Sequence, residues 1–142
     1  MKEEGIKNID FNILVGLTDF IPEIKKARDF GEIDIKEIND LTFYGGFKYS
    51  DLIQDYIKYC YDENIVVNFD WMNWEEGYNF MNSENRNYSE KNFSFLIKLN
   101  TYHLRRDRFS DGWLLEMFKQ GEILKLLERI EGLIFEYPEY PK

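Results

Sequence analysis

The sequence predicts a mainly α-helical single domain of about six helices, with at most one small β-hairpin near residues 33–49. Apolar residues recur at helical spacing through most of the chain, and capping signals divide that pattern into short helices. One stretch departs from it by alternating apolar and acidic residues ahead of two glycines. The length of 142 residues fits one domain over residues 1–142.

Two helical pieces are predicted between residues 6 and 30. Pro22 would remove a backbone hydrogen bond inside a continuous helix, so we expect a break close to Thr18. Asp19 is the expected N-cap of the second piece, and Gly31 is its expected end.

Residues 32–49 form the stretch in which a hairpin is expected, with Gly45 and Gly46 as its turn signal. Ser50 then opens a helix over residues 50–64, because its hydroxyl can accept a hydrogen bond from a free amide of the first turn.

A short helix that Asp70 caps is predicted next. In it Trp71, Trp74 and Tyr78 stand at positions i, i+3 and i+7, so their side chains share one face. The polar, turn-rich residues 82–92 that follow are interpreted as a mobile loop.

Three helices are predicted in the carboxyl-terminal third. The first covers residues 91–106, and the second begins at Ser110 and ends at Gly121. The third covers residues 122–131 and stops at Gly132.

The joint after the first of these helices holds the densest positive charge, at Arg105, Arg106 and Arg108. Arginines so placed could hold a phosphate or a carboxylate. The simpler interpretation is that Asp107 and Arg108 hold the turn while Phe109 anchors it. The joint is therefore interpreted as scaffold.

The acidic charge is unevenly distributed along the chain. The net charge is −9, and residues 1–90 carry 19 acidic and 9 basic side chains, whereas residues 91–142 carry 8 and 9. Such a field disfavours direct binding of nucleic acid, which needs clustered lysine and arginine. It suits contact with a basic protein surface, and we interpret the first ninety residues as the working surface.

The run Asp107-Arg108-Phe109, with Gly112, Leu115, Phe118, Gly121 and Ile123 and the helix at 124–130, resembles a family of small bacterial and phage proteins that is known only as a domain of unknown function. Its middle section is similar to Tyr49-Ser50, Tyr56, Phe69-Asp70-Trp71 and Trp74. The resemblance covers roughly residues 12–132 and implies one compact helical domain, with no implied activity or cofactor.

The function that we favour is a non-enzymatic protein-interaction module, encoded by a phage or mobile element, that inhibits a host defence protein. Spaced carboxylates can imitate nucleic-acid phosphates, so the expected partner is a protein with a basic surface. An exposed part of residues 71–78 would supply aromatic contacts. The expected contact residues are Trp71, Trp74, Glu75, Glu76, Asp51, Asp55, Asp62 and Glu63.

The alternative is a small-ligand-binding protein or an enzyme, with a pocket between the segment of the two tryptophans and the joint at residues 105–109. His103, Asp107, Arg108 and Asp70 would then face one cleft, because a carboxylate four residues from a histidine can orient its imidazole. No nucleophile or second histidine accompanies this set, so a structural role for it is favoured.

The remaining expectations concern cofactors and location. The single cysteine, Cys60, cannot form an intramolecular disulfide, and neither a metal site nor a cofactor is expected. No apolar run reaches the ~18 residues that span a bilayer, and the first ten residues lack an apolar signal core. The expected location is cytoplasmic, with no membrane partner, and the oligomeric state stays open.

Overall fold

The computed structural model describes residues 9–38 and 41–136. The helices are α1 (Phe11–Thr18), α2 (Phe20–Lys26), α3 (Asp51–Asp62), α4 (Glu75–Met81), α5 (Phe93–Asp107), α6 (Trp113–Lys119) and α7 (Glu122–Glu136), and the strands are β1 (Gly31–Ile38) and β2 (Leu41–Tyr49). Short 3-10 turns lie at Trp71–Asn73 and Tyr88–Glu90. The prediction of a mainly helical chain with one small hairpin is confirmed. No helix in the described ranges is both long and apolar enough to cross a membrane.

Helix α7 lies at the centre of the packing. It contacts α1, α2, α5 and α6, as well as the turn at Tyr88–Glu90. An apolar stripe with helical spacing makes this possible, because it buries one whole side of α7. The side chains with no exposed surface are Ile123, Leu126, Leu127 and Ile130. The core therefore surrounds this helix, and the hairpin packs beside α3.

The predicted break near Thr18 is confirmed, since α1 ends there and α2 begins two residues later. Pro22 stands in the first turn of α2, where a backbone amide has no partner within the helix in any case. The prediction that Gly31 ends this helix is wrong. Helix α2 is capped by Ala27, and Gly31 begins β1 with a φ of 136°. A Cβ atom on Gly31 would lie 2.2 Å from the carbonyl oxygen of Lys48, so the close approach of the two strands requires glycine.

The hairpin is antiparallel, and its chain reversal differs from the predicted one. The strands pair from Gly31 opposite Tyr49 to Ile38 opposite Leu41, so the closed end of the hairpin lies at this last pair. Gly45 and Gly46 lie inside β2, where the register shifts and one residue of β1 faces two of β2. Gly46 has a φ of 93°, which an extra residue in a bulge often needs. The glycine pair therefore bends the strand.

Ser110 is not the side-chain cap of α6, so this prediction is wrong. Gly112 occupies the N-cap position with a φ of 84°. The amide of Leu114 donates instead to the carboxylate of Asp107 at 2.9 Å. That carboxylate also accepts a hydrogen bond from the Tyr49 hydroxyl at 2.6 Å, so one side chain connects α5, α6 and β2.

The end of α7 also differs from the prediction. Gly121 does precede α7 with a φ of 80°, as expected for a helix-ending glycine. Gly132 does not stop the helix, which continues to Glu136. Leu133 beyond it is buried against the core, and this burial outweighs the weak helix propensity of one glycine.

Candidate functional site

The segment with two tryptophans is divided into the turn Trp71–Asn73 and helix α4, so the prediction of one continuous helix is wrong. Trp74 lies between the two parts with non-helical backbone angles (φ −83°, ψ 87°). The break lets both indoles turn toward α5. The Trp71 ring lies 6.0 Å from that of Tyr102, and the Trp74 ring 5.2 Å from that of Phe95. Both tryptophans are half-buried.

Two large apolar side chains next to Trp71 are mostly exposed. Met72 exposes 64% of its surface and Phe109 exposes 73%. The Phe109 ring lies 5.9 Å from the Trp71 ring, so it packs on the half-buried indole from the solvent side. The expectation that Phe109 anchors the joint in the core is wrong.

A cleft of about 470 Å³ separates the Trp71 turn from the end of α5. We call it the arginine cleft, and it is lined by Val67, Asn68, Phe69, Trp71, Met72, Arg105, Arg108 and Phe109. Its surface is about equally polar and apolar, because aromatic and aliphatic side chains alternate with polar ones that include two arginines. This volume is within the range of about 300–1,000 Å³ that is common for ligand pockets.

The three arginines of the joint have different surroundings. Arg106 donates to the Tyr102 hydroxyl at 2.5 Å and lies 3.7 Å from the Trp113 ring centre, which gives it a structural role. Arg105 lies 5.8 Å from the ring centre of Tyr61, and Arg108 is exposed. Within the described residues, neither Arg105 nor Arg108 has a carboxylate within ion-pair distance.

Helix α3 and its C-cap carry four of the six acidic contact residues that the sequence suggested. Asp51, Asp55 and Asp62 are exposed, and at 100° per residue they lie on the same side of the helix. Asp62 pairs with Lys58 at 2.5 Å, and Glu63 is exposed at the carboxyl-terminal cap. The carboxylates thus form a stripe that one lysine partly neutralises.

No carboxylate lines the arginine cleft itself, but two line a neighbouring cleft. A second cleft of about 410 Å³ is lined by Asp62 and Glu63 and shares Val67 and Asn68 with the first. On the chain beyond Trp71, Glu75 and Glu76 stand exposed in the first turn of α4. Within the described residues, Glu75 and Glu76 form no ion pair. The arginine cleft therefore opens on a surface with acidic side chains nearby.

His103, suggested as a catalytic base, is fully buried. Its Nδ1 accepts a hydrogen bond from the indole N–H of Trp113 at 3.1 Å, which places the proton of the neutral ring on Nε2. Among the described residues, that Nε2 has no hydrogen-bond partner. Burial lowers the pKa of His103 to about 3, so the imidazole stays neutral near pH 7.

The other residues of the catalytic alternative lie in different surroundings. Asp107 is used by Tyr49 and Leu114, as described above, and exposed Asp70 accepts a hydrogen bond from Asn73 at 2.9 Å. Arg108 lines the arginine cleft, but His103 and Asp70 do not. Asp107 and Arg108 together line a further cleft of about 400 Å³, but His103 and Asp70 line neither of these two clefts. In the part of the chain that it describes, no group of three histidine, cysteine or carboxylate side chains could hold a metal ion.

One buried acidic residue has no counterpart in the sequence analysis. Glu122 exposes 3% of its surface and accepts hydrogen bonds from the Tyr88 hydroxyl (2.5 Å) and Arg86 (3.0 Å). Arg86 also donates to the carbonyl oxygens of Met81 and Ser83. Residues 82–92 are thereby fastened to the first turn of α7, in contrast to the free loop that their polarity suggested.

The sequence carried little sign of the exposed groups of the arginine cleft. Phe109 follows Arg108 and precedes Ser110, and such a polar setting is the one signal that it could be exposed. Met72 stands beside Trp71 in a pattern that is equally typical of a core helix. Met72 is exposed in a 3-10 turn that ends at Asn73, and propensity alone does not reveal that turn.

These features define a small, mainly α-helical protein with an aromatic cleft that carries two arginines. The chain belongs to a family of unknown function (DUF6508), whose model matches residues 10–136. This match confirms the resemblance to an uncharacterised family. Comparison with curated proteins and with solved structures gives no match.

Proposed function

We propose that the protein is a non-enzymatic interaction module that binds another protein through the arginine cleft. The observation that carries the proposal is the pair of mostly exposed apolar side chains, Met72 and Phe109, beside two arginines. Aromatic residues, methionine and arginine are enriched in protein interfaces, where they supply most of the binding free energy. When a partner buries these groups, each Å² of apolar surface removed from water contributes about 25 cal/mol to the binding free energy.

The carboxylates near the cleft define the expected rim of the interface. Asp62, Glu63, Glu75 and Glu76 are exposed on the elements that flank the Trp71 turn. A partner with basic groups around an apolar centre would be attracted to this surface, and the attraction would speed association at low ionic strength. The partner is accordingly a protein with a partly basic surface.

A capture experiment tests this function. Immobilised wild-type protein, the double variant Met72→Glu/Phe109→Glu and the control Phe135→Glu are each exposed to host lysate at about 0.1 M salt, where charge attraction still acts over ~10 Å. Phe135 exposes 80% of its surface and is not part of the arginine cleft, so it matches the chemistry of the substitution. We expect a protein that wild type and Phe135→Glu retain and the double variant loses, and that binds again when purified. Equal capture by all three, or none, would contradict the proposal.

The carboxylate stripe of α3 favours a second mode of action. Asp51, Asp55 and Asp62 share one exposed face, with about 6 Å of helix rise between the first two. Carboxylates so spaced can occupy a basic channel that normally holds nucleic-acid phosphates, as an inhibitor of a phage-defence protein would. Asp51→Asn/Asp55→Asn should then abolish inhibition of a defence nuclease, while exposed Asp111→Asn does not. Unchanged inhibition by the double variant would exclude this mode.

A further inference from the structure

We propose that the arginine cleft receives a peptide segment of the partner in which a carboxylate lies next to a large apolar side chain. The carboxylate would bind Arg105 and Arg108, and the apolar side chain would pack on Trp71 and Phe109. This inference rests on the proposed function and names the chemistry of the partner at that site.

The arginines of the chain differ in whether they have a partner. Arg86 pairs with Glu122, Arg106 binds the Tyr102 hydroxyl, and Arg129 pairs with Glu136 at 3.6 Å. Among the described residues, Arg28, Arg105 and Arg108 lack such a partner, although the chain has a net charge of −9, and of these three only Arg105 and Arg108 line the arginine cleft. The cleft thus holds two guanidinium groups that pair with no carboxylate of the described residues, and both are available to a carboxylate of another molecule.

The two arginines are placed so that both side chains can bind the same anionic group. Arg105 is in the last turn of α5 and Arg108 is its C-cap, so they are three residues apart and lie on neighbouring positions of one face. Negative helix dipole ends favour positive side chains there, but that attraction uses none of their directional N–H donors. Each planar guanidinium can donate two parallel hydrogen bonds to a carboxylate.

The apolar rim indicates a peptide in preference to a small molecule. A ligand enclosed within about 470 Å³ would leave the outer surfaces of Met72 and Phe109 in water. A segment that lies across the cleft would cover both. Asn68 is exposed in the cleft lining, and its side-chain amide, which makes no hydrogen bond within residues 9–38 and 41–136, can pair with a peptide backbone.

Fluorescence polarisation with labelled nine-residue peptides tests the inference on the full chain. Each peptide carries one Leu or Trp in a Gly/Ser background, with Glu at one to four residues from it, and its control has Gln in place of Glu. We expect the best Glu peptide to bind at least about tenfold more tightly than its Gln control, since a hydrogen bond to a charged group contributes on this scale. Arg108→Gln should bring that ratio close to one, and the exposed Arg28→Gln, outside the cleft, should leave it unchanged.

Thermal unfolding of each variant separates loss of binding from loss of folding. Should Arg108→Gln unfold, Arg108→Lys serves instead, because it keeps the charge and loses the bidentate geometry. The inference is overturned if wild type binds Glu and Gln peptides equally or binds neither. It is also overturned if phenylacetate displaces the peptide as effectively as unlabelled peptide does, which would indicate a small-ligand pocket.

Two outcomes distinguish this inference from the function on which it rests. If the peptides show no preference for Glu but Met72→Glu/Phe109→Glu still loses the captured protein, the interaction module stands and the carboxylate recognition fails. If light scattering shows a dimer that Phe109→Glu dissociates, the cleft is a contact between two copies of the chain, and the external peptide is excluded.

Discussion

His103 shows how one buried side chain makes the stability depend on pH. Its pKa is lowered from an ordinary value near 6.5 to about 3 by burial, and charges on Glu122, Arg106 and Arg86 modify it further. Because the folded pKa lies below the unfolded one, the unfolded chain takes up a proton first as the pH falls. The contribution is complete above about pH 6.5 and is lost progressively toward pH 3.

We therefore expect the free energy of unfolding to fall by about 2 kcal/mol between pH 7 and pH 5 through this one group. Urea unfolding at the two pH values measures the change. The control is His103→Asn, whose side-chain oxygen can still accept from Trp113 and does not titrate. It should remove most of the pH dependence, whatever its stability at pH 7. A wild-type protein equally stable at both pH values would contradict the assignment.

Glu122 has the opposite electrostatic balance, although it too is buried. Burial raises its pKa, but the hydrogen bonds from Arg86 and Tyr88 and the charges of Arg86 and Lys125 outweigh burial, so the pKa is lowered. The ionised form therefore stabilises the fold above the unfolded pKa of about 4.3, and this contribution is lost as the pH falls through the folded pKa.

Glu122→Gln should lower the free energy of unfolding by about 2 kcal/mol at pH 7, because Arg86 loses its charged acceptor. The matched control is Glu128→Gln, since Glu128 is partly exposed in its pair with Lys25 and such pairs contribute at most about 1 kcal/mol. Chemical unfolding of both variants from pH 7 to pH 3 makes the comparison. The deficit of Glu122→Gln should shrink toward pH 3, and a constant deficit would mean that the charge is not its cause.

At the scale of elements, the start of α6 depends on a glycine that also makes room for the hairpin. A Cβ atom on Gly112 would lie 2.5 Å from the ring of Phe47, whereas one on Gly121 would meet nothing within 4 Å. Both glycines have positive φ, at 84° and 80°. An alanine would therefore strain the backbone at both positions, but only at Gly112 would its Cβ atom also collide with a neighbouring side chain.

We expect Gly121→Ala to cost about 1–2 kcal/mol from the backbone alone. Gly112→Ala should cost about 1–3 kcal/mol more, because the Phe47 ring must move. Denaturant titration of each variant gives the two values. Adding Phe47→Leu to Gly112→Ala should reduce the excess, and equal costs at the two glycines would show that Phe47 does not pack there.

Elements that are set by local signals can be predicted from the sequence, and elements that depend on tertiary contacts cannot. Helix α3 was predicted closely, because its N-cap hydroxyl on Ser50 acts within one turn. Helix α6 was given the wrong cap, because the carboxylate that caps it comes from Asp107 and is itself held by the distant Tyr49. The end of α7 was misplaced because burial of Leu133 carries the helix past Gly132. Tertiary contacts decided each difference.

At the scale of the whole molecule, the sequence pointed to the two regions that border the arginine cleft but not to their exposed groups. The composition of the tryptophan segment and of the joint was visible, and a pocket between them was one of the two alternatives. The exposure of Met72 and Phe109 could not be predicted from the sequence, because it depends on how the Trp71 turn packs on α5. The function of the cleft stays a proposal that the capture and peptide experiments test.

The packing around α7 should make the unfolding of the chain cooperative. Leu127 has no exposed surface on a helix that contacts α1, α2, α5 and α6. Leu127→Ala should therefore lower the free energy of unfolding by about 3 kcal/mol, through lost burial and the cavity left behind. Half-buried Leu124 on the same helix provides the control, and Leu124→Ala should cost about 1 kcal/mol.

Helix α7 contacts helices from both the amino-terminal and the carboxyl-terminal part of the chain. The loss of stability in Leu127→Ala should therefore affect all of these helices in the same transition. Far-UV circular dichroism reports the helices, and tryptophan fluorescence reports Trp71, Trp74 and Trp113. We expect the two signals of Leu127→Ala to give one coincident transition, shifted from wild type, as a single domain requires. Two separate transitions would mean that the chain folds as more than one unit, and that α7 stabilises only the part in which Leu127 is buried.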